Sequence, residues 1–341
     1  MQALTMTKDI AAQVRLHGRT ATLADGVFMP WSANGFTVRF RGTRLAATLQ
    51  AGGSDNPNAC PYIRVFTDGV PTADFGLLAP RAEWTLAEGL TEGEHVVTVL
   101  KRSEALLSHM LLESLATDGE FLEAPACESG RRIQFIGDSI TTGYAVMSSP
   151  EQTAFTTAEQ DALEAYAMQV ADALHAEAHL FAISGYAVHR SPFGEPIPPR
   201  YGFVDGAGAC ELPWDFDRFQ PDITVINLGT NDHAWFCNEC AAHLSEEERH
   251  REIEEAYVRF LMELHEIHPQ SRFLCVIGMM YAFVIEDVER AVARAVAAGI
   301  DARFERLPLA EEWRVGHPAR SVHDTAAGIM IPLIAEWMDW N

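Results

Sequence analysis

The sequence has few cysteines and few basic residues, and each shortage excludes a class of protein. Six cysteines in 341 residues are too few for a disulfide-stabilised scaffold, so we expect free thiols. Lysine and arginine number 25 against 48 aspartates and glutamates, a formal charge of −23. Such a chain is poorly suited to the phosphate backbone of a nucleic acid. We therefore expect no nucleic-acid partner.

Apolar segments of targeting or membrane-spanning length are also missing. Residues 1–16 (MQALTMTKDIAAQVRL) lack the apolar centre of a signal peptide. No uncharged run reaches the roughly 18 apolar residues that a transmembrane helix needs. We expect no membrane partner and a cytoplasmic location, with secretion of a longer precursor as the alternative. The oligomeric state is left open.

The composition that is present, with 48% hydrophobic residues, is that of an ordinary globular protein, and the length suggests about two domains. In the first third, Phe36, Val38 and Phe40 alternate with polar residues, as in a half-buried strand. Asp68-Gly69 separates two further strand-like segments, as in a hairpin. Several short strands without a helical pattern predict an all-β jelly-roll domain over residues 1–122.

The rhythm changes after the segment 122–132 (LEAPACESGRR), where we place the boundary. Residues 123–341 alternate short apolar runs with helical patterns. The runs at 132–136, 178–183, 223–228 and 273–278 fit buried parallel strands. Helical patterns cover 163–175, 245–268 (with a capping box of Ser245 and Glu248), 284–298 and the residues from Pro318 onward. This alternation predicts an α/β domain with helices on both faces of a parallel sheet.

The strongest chemical signal is IQFIGDSITTGYA, residues 133–145. An apolar strand leads directly into Ser139, and ligands of open α/β sheets bind at such strand ends. A serine there can be a nucleophile with backbone N–H groups beside it. A turn that uses Gly-Asp-Ser for its conformation is the alternative.

Two later strand ends add hydrogen-bond donors to this edge. AISGYAV (182–188) delivers Gly185, and VINLGTNDH (225–233) delivers Asn231. The N–H groups of Ser139 and Gly185 and the Asn231 amide can surround one oxyanion, and each lost donor typically costs about 10²–10³ in rate. The three residues together predict an oxyanion hole.

These blocks resemble the ordered sequence blocks of the SGNH (GDSL-type) hydrolases. The segment HGRTATLADGVFMPWSANGFTVRFRGTRL is similar to the N-terminal jelly roll of the second carbohydrate-esterase family, which removes O-acetyl groups from plant polysaccharides. The resemblance implies a flavodoxin-like SGNH domain with a parallel sheet, preceded by an all-β jelly-roll domain. It also implies acetyl xylan esterase-like activity on xylan- or mannan-type carbohydrate, without a cofactor.

Two histidines in RVGHPARSVHDTAAG compete as the general base that the serine needs. We favour His317, because its His-Pro pair resembles the family's block, and we expect Pro318 in the first turn of the last helix. His323, followed by small residues, is the alternative. Neither histidine has an aspartate two or three residues before it. The family that the sequence resembles includes Ser-His dyads oriented by a backbone carbonyl, and the resemblance therefore implies a dyad here. Glu311 or Glu312 is the alternative third member.

The segment NDHAWFCNECAAH allows two further interpretations. Its spacing of histidines and cysteines is compatible with a zinc knuckle formed by His233, Cys237, Cys240 and His243. The alternative, which we favour, is that the thiols are incidental and no metal binds. Trp235, and Trp214 in LPWDFDRF, are candidate sugar-binding residues, with ordinary packing as the alternative. Asp138 and Asp232 suggest the carboxylate pair of a glycosidase, but their separate strand ends favour hydrogen bonding in turns.

The sequence therefore predicts a carboxylic ester hydrolase with Ser139 as nucleophile, His317 as base and an acetylated carbohydrate as substrate. Another acyl preference, as in a lipase, thioesterase or arylesterase, is the nearer alternative. A non-catalytic carbohydrate-binding protein is the more distant one.

Overall fold

The computed structural model describes residues 2–5, 13–54, 56–127, 129–208, 211–280 and 283–340. Two six-stranded antiparallel sheets are built from the first third of the chain, and a five-stranded parallel sheet is built from the rest. The last antiparallel strand ends at Leu122, and the first parallel strand begins at Arg132. The predicted fold class, an all-β domain followed by an α/β domain, is confirmed.

The antiparallel sheets pack face to face, because alternate residues of their strands are apolar and meet in one core around Phe36, Val38 and Val97. The first sheet contains β1 (Gln2–Thr5), β3 (Ala21–Thr22), β4 (Val27–Met29), β6 (Leu45–Gly52), β9 (Arg81–Ala87) and β11 (His109–Thr117). The second contains β2 (Val14–His17), β5 (Gly35–Gly42), β7 (Tyr62–Thr67), β8 (Val70–Gly76), β10 (Gly93–Lys101) and β12 (Glu120–Leu122).

The parallel sheet consists of continuous apolar runs, as expected of strands that are covered on both faces. Its strands are β13 (Arg132–Gly137), β14 (Glu177–Ala182), β15 (Ile223–Asn227), β16 (Arg272–Met279) and β17 (Ala302–Leu309). They lie in the order β14-β13-β15-β16-β17, which is the flavodoxin-like order. The strand order reverses between β13 and β15, and sheets of this type bind their ligands at the carboxyl ends of the strands flanking such a point.

Helices cover both faces of this sheet. Two of them, α1 (Tyr166–Ala173) and α5 (Arg320–Met338), share one apolar core with β13. On the other face lie α2 (Thr230–Phe236), α3 (Glu246–Ile267) and α4 (Ile285–Ala297). The predicted capping box of Ser245 and Glu248 is present at the start of α3. Among the described residues, none of these helices combines the length and apolar character that crossing a bilayer requires.

The two domains are joined by buried polar contacts as well as apolar ones. Arg19 of the β domain lies over the rings of Phe181 and Tyr201, at 4.4 and 4.3 Å from their centroids. Its Nη1 donates to the Tyr201 carbonyl oxygen at 2.5 Å. The Trp31 indole N–H donates to the Val204 carbonyl oxygen at 2.6 Å. Because both donors are buried where the domains meet, each hydrogen bond offsets part of the cost of removing its donor from water.

The strand predicted around Phe36, Val38 and Phe40 is β5, but two other local features differ from the sequence analysis. The edge strand β17 was not predicted, since its burial pattern is mixed and lacks a continuous apolar run. Pro318 is not in the first turn of α5, because the helix begins at Arg320 and His317–Pro318 forms a short strand.

Four cysteines are free thiols, as predicted: Cys60, Cys127, Cys237 and Cys275. Cys210 and the side chain of Cys240 lie outside the described residues. The prediction of free thiols is therefore tested at four of the six positions.

Candidate active site

Ser139 lies just beyond the carboxyl end of β13, at the point where the strand order of the sheet reverses. The chain turns sharply after Gly137, and the Asp138 carboxylate accepts a hydrogen bond from the Ile140 N–H at 3.0 Å. Ser139 lines a cavity of about 550 Å³. The serine that the sequence singled out is thus at the floor of a large cavity, where the flavodoxin-like order predicts ligand binding.

His317 is presented to Ser139 by a two-residue hairpin. The hairpin pairs β18 (Trp313–Arg314) with β19 (His317–Pro318). Its two central residues, Val315 and Gly316, have φ of 47° and 77°, the positive values of a type I′ turn. Glycine adopts such a φ readily, but a β-branched residue rarely does, at a cost of order 1–3 kcal/mol. The surrounding structure therefore imposes the conformation that brings His317 forward.

The imidazole of His317 is positioned by three contacts. Its Nε2 lies 2.9 Å from Ser139 Oγ, within hydrogen-bond reach for proton transfer. Its Nδ1 faces the Val315 carbonyl oxygen at 3.5 Å. Its ring lies against Tyr144, with 4.2 Å between centroids. A backbone carbonyl thus occupies the position that a carboxylate takes in a triad.

Neither alternative for the base or the third member is at the site. His323 is buried in α5, and its Nδ1 accepts a hydrogen bond from the Tyr166 N–H at 3.3 Å. The Glu312 carboxylate pairs with Arg314 and accepts a hydrogen bond from the Ser321 hydroxyl. Glu311 is exposed. The geometry agrees with a dyad of Ser139 and His317.

Gly185 lines the same cavity as Ser139. It has a φ of 81°, and a Cβ at this position would lie 3.0 Å from Cβ of Phe193. A side chain here would therefore be strained both by backbone conformation and by crowding. The glycine allows its backbone to approach the reacting atoms closely, as an oxyanion donor must.

Asn231 also lines the cavity, from the first turn of α2. Its amide donates to the Tyr186 carbonyl oxygen at 2.8 Å and to the Asp138 carboxylate at 3.3 Å. An amide has two hydrogens, so donation to an oxyanion requires one of these bonds to be exchanged. The longer bond with Asp138 is the weaker of the two. Asn231 thus lines the same cavity as Ser139 and Gly185, and two hydrogen-bond acceptors fix the orientation of its side-chain amide.

The two aspartates beside the site serve as turn acceptors. Asp232 accepts hydrogen bonds from the N–H groups of Val188, His189 and Arg190 at 2.8–3.2 Å. Burial raises the pKa of Asp232 to about 6 and the pKa of Asp138 to about 7. Their contacts agree with turn hydrogen bonding and not with a glycosidase pair.

Several cavity residues had no signal of their own in the sequence. Leu106 reaches the cavity from the loop between β10 and β11, so the β domain contributes to its wall. Phe193 lies across from Gly185 and is 72% exposed. Tyr144, which supports His317, follows the nucleophile in the same turn. Only Tyr144 could have been suspected, from its place in IQFIGDSITTGYA.

For the predicted sugar-binding residues Trp235 and Trp214, the structure favours the alternative of ordinary packing. Trp235 is only 3% exposed and contacts His189 and Arg190. Trp214 is only 6% exposed and belongs to an apolar cluster at the domain interface. Large aromatic rings bury most of their surface when a core is available, and both rings have done so. Neither lines the cavity.

The segment 231–243, which contains most of α2 and the residues after it, shows no metal centre in the part of the chain that the structure describes. No three His, Cys, Asp or Glu side chains in that part are placed to hold a metal ion. His233 and Cys237 lie 3.9 Å apart from Nε2 to Sγ. His233 lines the cavity, and the exposed ring of Phe283 stacks on it at 5.2 Å between centroids.

The pH dependence of activity should report the environment of His317. Burial lowers the pKa of His317 to about 4. The neutral imidazole is the form that can accept a proton from Ser139, and it persists until the pH falls to that value. We expect kcat/KM for p-nitrophenyl acetate to fall at low pH along an acid limb centred near pH 4. The ordinary histidine pKa of about 6.5 would place this limb at higher pH. The check is a profile of kcat/KM against pH.

Unfolding in acid must be separated from this titration. Burial also lowers the pKa of His323, to about 3. For such a histidine the unfolded chain binds the proton first, so stability is lost as the pH falls below about 6.5. Tryptophan fluorescence at each pH shows whether the protein is folded. An acid limb centred near pH 6.5 in folded protein would contradict the expectation.

Comparison with known families agrees with this geometry. The carbohydrate esterase 2 N-terminal family matches residues 16–125. The GDSL-like Lipase/Acylhydrolase family matches residues 135–324, more than half of the chain. The chain therefore belongs to the GDSL-like lipase/acylhydrolase family, and its N-terminal part matches carbohydrate esterase family 2. The resemblance predicted from the sequence is confirmed, and a carboxylic ester hydrolase agrees with an acylhydrolase family.

Among curated proteins, the chain is similar to two bacterial enzymes. It is 27% identical over 329 residues to the cellulase/esterase CelE of Acetivibrio thermocellus, covering 91% of this chain and 38% of that protein. It is 28% identical over 311 residues to an acetylxylan esterase / glucomannan deacetylase of Cellvibrio japonicus, covering 88% of this chain and 81% of that protein. The chain thus spans little more than a third of the length of the first of these relatives.

Solved structures show the same two-domain fold. A family two carbohydrate esterase from Clostridium thermocellum in complex with cellohexaose is 26% identical, with a TM-score of 0.85 over 96% of this chain and 100% of that one. The acetyl xylan esterase Est2A of Butyrivibrio proteoclasticus is 22% identical, with a TM-score of 0.89 over 99% of both chains. The second similarity supports the fold alone.

Proposed function

We propose that this protein is a carbohydrate O-acetyl esterase that uses Ser139 as nucleophile and His317 as general base. The observation that carries the proposal is the 2.9 Å approach of Ser139 Oγ and His317 Nε2 at the floor of the cavity. A serine and a base within hydrogen-bond reach, at the ligand-binding edge of the sheet, are what acyl transfer to a hydroxyl requires.

The reaction proceeds in two halves. Neutral His317 takes the Ser139 proton while Oγ attacks the acetyl carbonyl carbon. The N–H groups of Ser139 and Gly185 stabilise the resulting oxyanion, together with the Asn231 amide, which exchanges its longer bond to Asp138 for one to the oxyanion. The bond to the sugar oxygen then breaks, and His317 returns the proton to the departing alcohol. Water, activated by the same histidine, releases acetate from the acetyl-enzyme and restores Ser139.

The cavity supports a neutral substrate. Among the residues that the structure describes, its lining combines small and apolar residues with the uncharged polar groups of the site and contains no Lys, Arg, Asp or Glu: Leu106, Ser139, Tyr144, Ser184, Gly185, Phe193, Thr230, Asn231, His233, Ala234, Met280, Gly316 and His317. The exposed ring of Phe193 offers an apolar face on which a pyranose can pack. Together with the names of the relatives, this favours acetylated xylan or glucomannan over a charged ester.

Another acyl preference is the second candidate, because Leu106, Phe193 and Met280 make part of the cavity wall apolar. Such a wall can also bury a longer acyl chain, at about 0.8 kcal/mol for each buried methylene. A lipase-like or thioesterase-like activity would use the same serine and histidine.

Acyl-chain selectivity tests the proposal. Purified full-length protein is assayed on p-nitrophenyl acetate, butyrate and octanoate, and for acetate release from acetylated xylan and glucomannan. We expect kcat/KM to fall by about tenfold or more from acetate to octanoate, because an enzyme discriminates acyl groups through the pocket that holds them. A kcat/KM that rises with chain length would favour the lipase-like alternative. A folded protein that cleaves none of these esters would refute an esterase altogether.

A further inference from the structure

A buried carboxylate of the β domain lies next to the predicted oxyanion hole and has no part in the dyad. Glu104 is in the loop between β10 and β11, and its side chain is 0% exposed. It accepts hydrogen bonds from the Ser184 N–H at 2.8 Å and the Ser184 hydroxyl at 2.6 Å. A third bond comes from Gln160 Nε2 at 3.0 Å. A buried carboxylate is retained only where such partners offset its desolvation.

The bonds to Ser184 act on the Gly185 donor. Ser184 is bonded to Gly185 through the peptide that carries the Gly185 N–H. Because Glu104 holds both the backbone N–H and the hydroxyl of Ser184, it restricts rotation of the residue immediately before that donor. A positive-φ glycine is conformationally free by itself, so the restriction has to come from its neighbours.

The bond to Gln160 connects Glu104 to the nucleophile turn. Gln160 Nε2 also donates to Thr142 Oγ1 at 3.0 Å, and Thr142 Oγ1 donates to the Ser139 carbonyl oxygen at 3.1 Å. The Glu104 N–H donates to Gln160 Oε1 at 3.1 Å, so the two residues pair in both directions. One carboxylate is therefore linked to the segments that carry Ser139 and Gly185.

The loop that carries Glu104 is itself held in place. The ammonium of Lys101, fully buried, donates to the carbonyl oxygens of Pro30, Ser103 and Glu104 at 2.7–3.0 Å. Burial raises the pKa of Glu104 and lowers the pKa of Lys101 to about 7. Such a network, with its polar atoms paired, is rigid, and a rigid support is what an oxyanion hole requires.

We propose that Glu104 is a positioning residue of the active site, through which the β domain sets the spacing of the Ser139 and Gly185 oxyanion donors. This inference rests on the proposed function and extends it to the β domain. The β domain then contributes directly to the rate, in addition to any role in holding carbohydrate.

The test compares full-length Glu104→Gln and Ser184→Ala with a matched control, Glu113→Gln. Glu113 belongs to the same domain and accepts hydrogen bonds from Arg81 and Gln50 on β-domain strands. It does not line the cavity. Steady-state kinetics on p-nitrophenyl acetate are measured below the unfolding temperature of each variant.

We expect kcat of Glu104→Gln to fall by about 10–100-fold with KM within about twofold. The reason is that an oxyanion donor acts in the transition state and little in the ground state. Ser184→Ala should lower kcat about threefold to tenfold, and Glu113→Gln should match wild type. Affinity for a trifluoromethyl ketone, which Ser139 converts into an anionic tetrahedral adduct, should fall in proportion to kcat. The acid limb should stay in place, since His317 is untouched.

A folded Glu104→Gln with kcat within twofold of wild type would overturn the proposal, as would a rise in KM at unchanged kcat. If Glu104→Gln does not fold, Ser184→Ala decides, because it removes one bond and keeps the carboxylate. Unchanged kcat in folded Ser184→Ala then overturns it. A wild-type chain that cleaves no ester would instead refute the proposed function, so the two failures are distinguishable.

Discussion

Replacing Ser139 by alanine should reduce kcat for p-nitrophenyl acetate by about 10⁴-fold or more. Alanine has no Oγ, so no acetyl-enzyme can form, and the residual rate is limited to what the oxyanion donors achieve with water. The lost hydrogen bond to His317 costs on the order of 1 kcal/mol of stability, so the variant should remain folded. The measurement is initial rate, with intact mass after exposure to a serine-reactive phosphonate, which should label wild type alone.

Ser148→Ala is the matched control for this substitution. Ser148 is a buried serine of the same domain, and it does not line the cavity. We expect its kcat to stay within about twofold of wild type, since its side chain does not reach the cavity that holds Ser139. If folded Ser139→Ala were as active as wild type, Ser139 would not be the nucleophile and the proposed mechanism would be wrong.

The largest effect after the nucleophile is expected from the base. His317→Ala should lower kcat/KM on the order of 10⁴-fold, because His317 Nε2, at 2.9 Å, is the group positioned to take the Ser139 proton. Because serine and histidine act as one unit, Ser139→Ala/His317→Ala should be no slower than either single variant. The measurement is kcat/KM of the three variants under one set of conditions.

His323→Ala serves as the matched control, and its effect should be on stability instead. It leaves the Tyr166 N–H unpaired in a buried position and opens a cavity beside α5. The free energy of unfolding should fall by about 2–4 kcal/mol, with kcat/KM of the folded variant within about threefold of wild type. Loss of activity in His323→Ala with full activity in His317→Ala would reverse the assignment of the base.

The position of Glu104 suggests that the β domain supports the active site as well as packing against it. Leu106 and Glu104 come from one loop of that domain, one in the cavity wall and the other behind the predicted oxyanion hole. The catalytic domain alone would lack both. The buried contacts of Arg19 and Trp31 across the interface then help to hold this loop against the site. The proposal for Glu104 therefore predicts that the contact between the two domains affects the reaction rate.

Residues Ser139, Gly185 and Asn231 could be grouped from the sequence because each follows an apolar run in the α/β half. In a parallel sheet the carboxyl ends of all strands meet at one edge, so chain order alone predicts that they converge. The antiparallel half could also be predicted from local features of the sequence. Alternation with period two, and turns such as Asp68-Gly69, are local properties of the chain.

The sequence by itself thus determined the two fold classes and the residues at the sheet edge, because period, turn chemistry and strand order are encoded locally. Only the tertiary structure decided which histidine faces Ser139. His317 and His323 are chemically alike, and what separates them is that His317 lies on the hairpin before α5 whereas His323 lies within that helix. It also decided that Trp214 and Trp235 are buried in packing and that Phe193 lines the cavity. Glu104 reaches the site only through the docking of two domains. Contacts between residues far apart in the chain depend on packing, and no local pattern specifies them.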